Sequence, residues 1–184
     1  RVDRRSIGEF NLNISHNFIV TMESTLICLC QFMSGVLFEP HSQVARETYL
    51  PASHISIMLH ILTILARCSK MCLMLVQVSS STTQRIVLAG DIWPSLLHLL
   101  LYTKDHYQES KDIKELLDLL IVVLGYICFE NSEVQTKLNE SRIVNELCNL
   151  PTNFVVDKRC VEVLMPTLCC LVYHHEQNFK TVFN

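Results

Sequence analysis

The sequence predicts an all-α protein that folds as a right-handed α-solenoid, a stack of short helical repeats. Three observations support this prediction. Apolar residues recur at helical spacing over long stretches, and the Val and Ile runs lie inside patterns far longer than a strand. One block of sequence recurs 51 residues later. Only four glycines and five prolines occur in 184 residues, which leaves little room for the tight turns of a β-sheet protein.

Residues 84–100 are the most informative stretch, because they read as a short helix, a break and a second apolar helix. Gly90 is predicted to take the left-handed conformation that ends the first helix, and Asp91 to cap the second. Pro94 falls in the first turn of the second helix, where its missing N–H costs little. This helix–break–helix unit is typical of an armadillo-type repeat.

A displacement of 51 residues aligns this block with a second block, and a looser third copy begins near Gln177. The spacing is close to the roughly 40–47 residues of armadillo and HEAT repeats, with a loop insertion after residue 102. Each repeat would then bury one apolar face on its neighbour. The matched pairs are Gln84 with Gln135, Val87 with Leu138, Gly90 with Ser141, Ile92 with Ile143, Leu96 with Leu147 and Leu99 with Leu150.

The chain divides into a polar lead-in, residues 1–14, and a single armadillo/HEAT-like repeat domain, residues 15–184, which we interpret as part of a longer protein. Ser15 and Ser53 are predicted helix caps, Pro40 a helix stop and Pro166 a kink. Polar connectors are predicted at 39–52, 79–83, 103–110 and 152–156. The predicted helices are 15–38, 53–78, 83–89, 92–102, 111–129, 133–139, 141–150, 157–174 and one that begins at 177.

The helix predicted over 53–78 is apolar on nearly all sides, so we expect it to be deeply buried. Leucines and one valine at helical spacing in the other helices are expected in the core. These predicted core residues are Leu96, Leu100, Leu120, Val123, Leu124, Leu147 and Leu168.

Composition excludes several functions. Charged residues make up 18% of the chain, below the typical value of roughly 25%, and the net charge is −3. This argues against a broad phosphate-binding face, so no direct nucleic acid contact is expected. The nine cysteines are odd in number and lie mostly in apolar helical stretches, as reduced cytosolic thiols do. The apolar run over 55–78 is interrupted by His60, Arg67 and Lys70, so no membrane span is expected.

No motif predicts chemistry. Cys68 and Cys72 share a helix face and could offer two thiolates to zinc, but no second pair with ligand spacing follows. Cys170 with the His174–His175 pair suggests a cysteine enzyme, although adjacent histidines point to different sides of a helix and a buried thiol is inert. We therefore expect no enzyme, no catalytic or metal site and no cofactor.

The concave side of an armadillo solenoid, which the long third helices line, is the predicted partner-binding surface. Two predicted long helices would each present a matching face there. The alternative is that Met71 and Val122 are simply core residues. The candidate partner-binding residues are Arg67, Met71, Glu115, Asp118, Val122 and Tyr126.

Residues 124–127, followed by Asn131, Gln135 and Ile143, resemble an armadillo repeat of the nuclear-import adaptors. Those adaptors grip basic peptides with a Trp and an Asn four residues apart. Val122 and Tyr126 stand at the matching places here. This departure argues against recognition of nuclear signals.

A second resemblance covers about residues 116–184, which are similar to the C-terminal helical region of the S-phase cyclin A-associated protein family of the endoplasmic reticulum. It implies a non-enzymatic scaffold or adaptor at the cytosolic face of the endoplasmic reticulum, with a nuclear location as an alternative. The implied partners are cyclin A with its kinase, a deadenylase complex and ribosome-associated factors that regulate tubulin mRNA. The motifs are Gly125-Tyr126, Asn131, Gln135, 147–151, 163–168, Tyr173 and Gln177-Asn178.

No residues here match that family's zinc finger or its cyclin-binding stretch, so neither contact is carried over. Two alternatives stay open beside the adaptor. One is an RNA- or ribosome-contacting helical-repeat module, and the other is an unrelated armadillo-type adaptor.

Overall fold

The computed structural model describes residues 21–33, 35, 50–74, 80–156, 158 and 160–183. This part of the chain is helical and contains no strand, which confirms the predicted all-α class. The predicted lead-in 1–14, the Ser15 cap and the helix stop at Pro40 lie outside the described residues. 

The helices follow one another with short connections. Helix α1 covers residues 21–33. Between α8 and α9, the chain forms a π-helical segment over Cys160–Leu164. The remaining helices are α2 (Ala52–Met74), α3 (Ser80–Ala89), α4 (Trp93–Asp105), α5 (Lys111–Cys128), α6 (Ser132–Glu140), α7 (Ile143–Cys148), α8 (Thr152–Val156), α9 (Met165–Val172) and α10 (Glu176–Phe183).

Helix α5 lies at the centre of the packing. It contacts both α2 and α9, so these three helices pack against one another in chain order. Helix α4 contacts α5 and α7, and α10 contacts α6, α7 and α9. Leu116, Leu120 and Leu124 of α5 are fully buried, as are Leu26 and Met33 of α1 in the same apolar core.

The predicted core is largely confirmed. Leu96, Leu100, Leu120, Val123, Leu124 and Leu147 are all buried. Leu168 is only partly buried and packs against the edge of the core. Helical spacing therefore identified the inward face of α4, α5 and α7 correctly.

The prediction that Gly90 takes a left-handed conformation is wrong, because Asp91 takes it instead, with φ 42°. Arg142, which is 51 residues later, also has a positive φ, of 66°. Ile92 occupies the N-cap of α4 without a side-chain cap bond, so Asp91 is not the cap either, although Pro94 does lie in the first turn. The N–H of Gly90 donates to the carbonyl of Ile86 at 2.9 Å, so Gly90 still closes the last turn of α3.

Two predicted helix starts are wrong. Helix α2 begins at Ala52, so Ser53 lies inside the helix and is not its cap. The carbonyl of Pro51 accepts hydrogen bonds from the N–H groups of His54 (2.8 Å) and Ile55 (3.1 Å) and so begins the helix. Helix α3 begins at Ser80, which makes most of the predicted turn at 79–83 helical.

Residues 152–156 form helix α8 instead of the predicted loop. The carbonyl of Pro151 accepts hydrogen bonds from the N–H groups of Phe154 (2.8 Å) and Val155 (3.2 Å). The Phe154 side chain is fully buried, with its ring edge-on to Tyr107 at a centroid distance of 5.6 Å. Burial of one aromatic ring thus stabilises a helix that local sequence does not favour.

Helix α4 extends to Asp105, beyond the predicted end at residue 102. The Thr103 hydroxyl donates to the carbonyls of Leu99 (2.8 Å) and Leu100 (3.1 Å), so this buried polar side chain is satisfied within the helix. The loop that follows is shortened accordingly.

The sequence predicts one helix over 157–174 with a kink at Pro166. The structure instead has a π-helical segment that ends two residues before Pro166. Proline has no N–H to donate and its ring clashes with the preceding turn of an α-helix. The wider π turn over Cys160–Leu164 absorbs that mismatch, and Pro166 then lies in the first turn of α9.

Helix α2 is not deeply buried on all sides as predicted. Its buried residues, among them Met58, Leu62 and Leu65, form the face toward α5, while Ile57 and Ile64 are 38% and 39% exposed. Within the described residues, Ala52–Lys70 is long and apolar enough to cross a membrane, with mean hydropathy 1.3. Only 33% of this stretch is buried, so the packing against α5 covers one face of it.

Replacement of Leu124 by alanine is expected to lower the free energy of unfolding by about 2–5 kcal/mol, because it leaves a cavity in the apolar core beside α5. Urea denaturation measures this change. The matched surface control, Ile57→Ala, should change stability by less than about 1 kcal/mol. A loss for Leu124→Ala as small as that of the control would contradict the central position of this side chain.

Gly125→Ala is expected to destabilise the protein by about 1–3 kcal/mol through overpacking, although alanine favours helices. An added Cβ would lie 2.7 Å from Thr167 Oγ1 of α9. A double-mutant cycle with Thr167→Ala tests the cause. In the Thr167→Ala background, Gly125→Ala should lower the free energy of unfolding by less than it does alone. Strictly additive losses of stability would contradict a steric clash at this crossing.

Candidate functional site

A cleft of about 500 Å³ lies between α5 and the π-helical segment. Both apolar and charged side chains line it, and those from α5 recur every three or four residues along one helix face. The lining residues are Lys111, Glu115, Asp118, Leu119, Val122, Glu162 and Val163.

Two local features position the walls of the cleft. The Ser110 hydroxyl accepts a hydrogen bond from the N–H of Ile113 (3.1 Å), which caps α5 and fixes where its first turn begins. On the opposite wall, Thr167 Oγ1 donates to the carbonyl oxygen of Ile121 (2.9 Å) and holds α9 against α5. Gly125 leaves room for this approach, which brings Glu162 and Val163 beside α5.

The cleft carries more negative than positive charge. Three carboxylates face it, from Glu115, Asp118 and Glu162, against the ammonium group of Lys111. The ion pair between Glu162 Oε1 and Lys158 Nζ, at 3.3 Å, is highly exposed and therefore weak. The apolar part of the cleft makes contact with aliphatic groups favourable. A chain segment with both basic and aliphatic side chains complements this surface, whereas a phosphate does not.

The structure brings together three of the six candidate residues. Glu115, Asp118 and Val122 line the same cleft, and Val122 is half-buried there. Arg67 is exposed on α2, and Tyr126 is half-buried farther along α5, but neither lines the cleft. The side chain of Met71 lies outside the described part of the structure.

Sequence reasoning missed the second wall of the cleft. Glu162 and Val163 belong to the π-helical segment and reach α5 only through tertiary packing. No signal near these residues indicates that contact. Leu119 is also absent from the predicted set, although its position between Asp118 and Val122 on α5 could have suggested it.

The same kind of polar contact occurs twice within this chain. Gln84 of α3 and Gln135 of α6, 51 residues apart, each reach the carbonyl at the end of another helix. Gln84 Nε2 donates to the carbonyl of Phe129 (2.9 Å), which ends α5, and Gln135 Nε2 donates to that of Tyr173 (3.0 Å), which ends α9. Asn131 Nδ2 also donates to Gln84 Oε1 at 3.0 Å.

The two turns that receive these contacts have the same backbone. A displacement of 44 residues takes Glu130 to His174, and both have φ 51°. The next residue in each turn caps the following helix. Asn131 Oδ1 accepts from the N–H three residues later (3.0 Å), and His175 Nδ1 accepts from the N–H three residues later (3.2 Å).

The arrangement around Cys170 does not resemble a catalytic cysteine–histidine pair. Burial raises the pKa of the Cys170 thiol. The His175 ring is engaged as a helix cap and also lies 3.0 Å from Thr136 Oγ1 through Nε2. His174 is exposed beside the Tyr173 ring.

Metal ligation finds no support among the described side chains, which contain no group of three or more His, Cys, Asp or Glu that could hold an ion. Cys68 is partly buried on α2. The side chain of Cys72, its predicted partner, lies outside the described residues.

Comparison with known proteins gives no relative. No protein-family model, no curated protein and no solved structure matches this chain. 

Alkylation should distinguish the cysteines of α1. Burial raises the pKa of the Cys30 thiol from 9.0 to about 11, which lowers its thiolate fraction at pH 8 by about 100-fold. Iodoacetamide should therefore label the exposed Cys28 much faster than Cys30, as followed by peptide mass spectrometry. Labelling in denaturant, where both rates should converge, is the control. Equal rates in the folded protein would contradict the burial of Cys30.

Proposed function

We propose that this chain is a non-enzymatic protein-interaction scaffold built as an armadillo-type, right-handed α-solenoid. The observation that carries the proposal is the repeated contact between units. Gln84 and Gln135 bind matching turns at the ends of α5 and α9, and α2, α5 and α9 pack in chain order. Repeats that stack in this way create extended surfaces for partners.

The cleft beside α5 is the proposed contact surface for a partner. Its excess of negative charge and its apolar residues favour an extended protein segment that carries lysine or arginine beside aliphatic residues. Glu115 and Glu162, which are exposed, would pair with the basic groups. Val122 and Val163 would contact the aliphatic ones.

We also propose the adaptor role that the sequence resemblance implies, a cytosolic scaffold at the endoplasmic reticulum that joins cyclin A with its kinase, a deadenylase complex or ribosome-associated factors. Its support is the set of motifs over about residues 116–184. Within that stretch, Gly125, Asn131 and Gln135 each have a defined packing or hydrogen-bonding role.

Affinity capture from cell lysate followed by mass spectrometry tests the scaffold function. The double variant Glu115→Lys, Glu162→Lys reverses the charge of the cleft. It should lower the amount of captured partner at least about tenfold, because lysines would then face a basic segment. The double variant Glu133→Lys, Glu140→Lys on α6 is the matched control, since it makes the same change in charge at exposed residues outside the cleft. Far-UV circular dichroism of each variant checks folding.

The treatment of the lysate separates the alternatives. A scaffold that binds protein keeps its partners after nuclease digestion and loses them with the cleft variants. Partners that disappear on nuclease treatment would instead indicate the RNA- or ribosome-contacting module. Partners equally retained by the cleft variants and the control would overturn the assignment of the cleft.

A further inference from the structure

A second surface, which we call the terminal groove, lies at the other face of α9 and encloses about 340 Å³. Residues from α7, α8, the π-helical segment, α9 and α10 line it, and every one of them is apolar or a cysteine. Met165 and Phe183 are 48% and 66% exposed. The lining residues are Leu147, Cys148, Val155, Leu164, Met165, Leu168, Cys169, Val172, Val182 and Phe183.

The terminal groove repeats a surface that is covered one unit earlier. The displacement of 44 residues that takes one turn onto the other also takes Ile121 of α5 to Met165 of α9. Ile121 is fully buried, whereas Met165 is half exposed. The other counterparts in α5 and α6 are buried as well: Leu120 for Leu164, Leu124 for Leu168, Gly125 for Cys169, Cys128 for Val172 and Leu138 for Val182.

The covered surface shows what kind of element fits there. Helix α9 lies on α5 with Thr167 over Gly125 and with its hydroxyl bonded to the carbonyl of Ile121 (2.9 Å). Leu164, which ends the π-helical segment, and Leu171 of α9 lie three residues before and four residues after Thr167, and both are buried. A helix with aliphatic residues at positions i and i+7 and a short residue at i+3 therefore covers this kind of face.

One difference changes the residue required at i+3. Cys169 stands in the terminal groove where Gly125 stands in α5. A Cβ at Gly125 would lie 2.7 Å from Thr167 Oγ1, so a threonine could not approach Cys169 as closely as it approaches Gly125. A helix that covers the terminal groove at the same distance must carry glycine or alanine at i+3.

We propose that the terminal groove binds an amphipathic helix of a partner protein, with aliphatic residues at i and i+7 and alanine or glycine at i+3. The groove continues the helix-on-helix interface between α5 and α9, which argues for a helix as its occupant. This proposal adds a second surface to the scaffold function and does not depend on the cleft beside α5.

A synthetic helix is the probe for this proposal. It is a fluorescein-labelled peptide of about 18 residues, rich in alanine, glutamate and lysine so that it is helical alone, with leucine at i and i+7 and alanine at i+3. A companion peptide carries threonine at i+3. Fluorescence anisotropy with the whole chain measures both affinities, and the alanine peptide should bind at least about fivefold more tightly.

Two variants assign the binding to the groove. Met165→Glu should weaken the binding of the alanine peptide at least about tenfold, because a carboxylate would be buried in an apolar contact. Val156→Glu is the control, since Val156 is 81% exposed and does not line the groove. The double variant Glu115→Lys, Glu162→Lys should leave the affinity for the alanine peptide unchanged. The cleft beside α5 and the terminal groove are therefore tested separately.

Three outcomes would overturn the proposal. The first is no binding of the alanine peptide up to about 1 mM, and the second is equal loss in Met165→Glu and Val156→Glu. The third is a dimer of the chain alone, seen by analytical ultracentrifugation and abolished by Met165→Glu, which would make a second copy the occupant. A thermal melt of each variant confirms that the comparison is between folded proteins.

Discussion

The close crossing of α9 over α5 is the contact on which the described structure depends. Because Gly125 has no side chain, the backbone of α9 can approach near enough for the Thr167 hydroxyl to bond a carbonyl oxygen of α5. This bond satisfies a buried hydroxyl and fixes the register of the two helices. Both the cleft beside α5 and the terminal groove beyond α9 are formed by the way these helices lie together.

Polar contacts between helices add the register that apolar packing alone does not specify. Leucine side chains tolerate small shifts of one helix along another, whereas a glutamine amide must reach one particular carbonyl. Gln135 illustrates this, since its Nε2 donates to the carbonyls of both Cys170 (2.7 Å) and Tyr173 (3.0 Å). The buried amide of Asn178 then donates to the carbonyl of Gln135 (3.1 Å), which links α6 to α10.

The sequence was most informative where a physical effect acts within one helix. Helical spacing of leucines located the buried face of α5. The 51-residue displacement aligned Gln84 with Gln135, and in the structure both side chains donate to a carbonyl at a helix end. Prediction failed where the outcome depends on distant groups. Phe154 turns an expected loop into α8 because its ring is buried beside Tyr107, and the exposed Ile57 shows that an apolar helix need not be covered on every side. Gly90 was assigned to a left-handed turn from its identity, but Asp91 takes that conformation.

By itself, the sequence determined the helical class, the approximate helix bounds, most of the core and one face of the cleft, because periodicity and capping act over a few neighbouring residues. Only the tertiary structure decided which wall lies opposite Glu115 and Asp118, and which face of α9 the described residues leave uncovered. Those features depend on the distance at which two helices cross. That distance is set by Gly125 and Thr167, which are 42 residues apart and have no local signature.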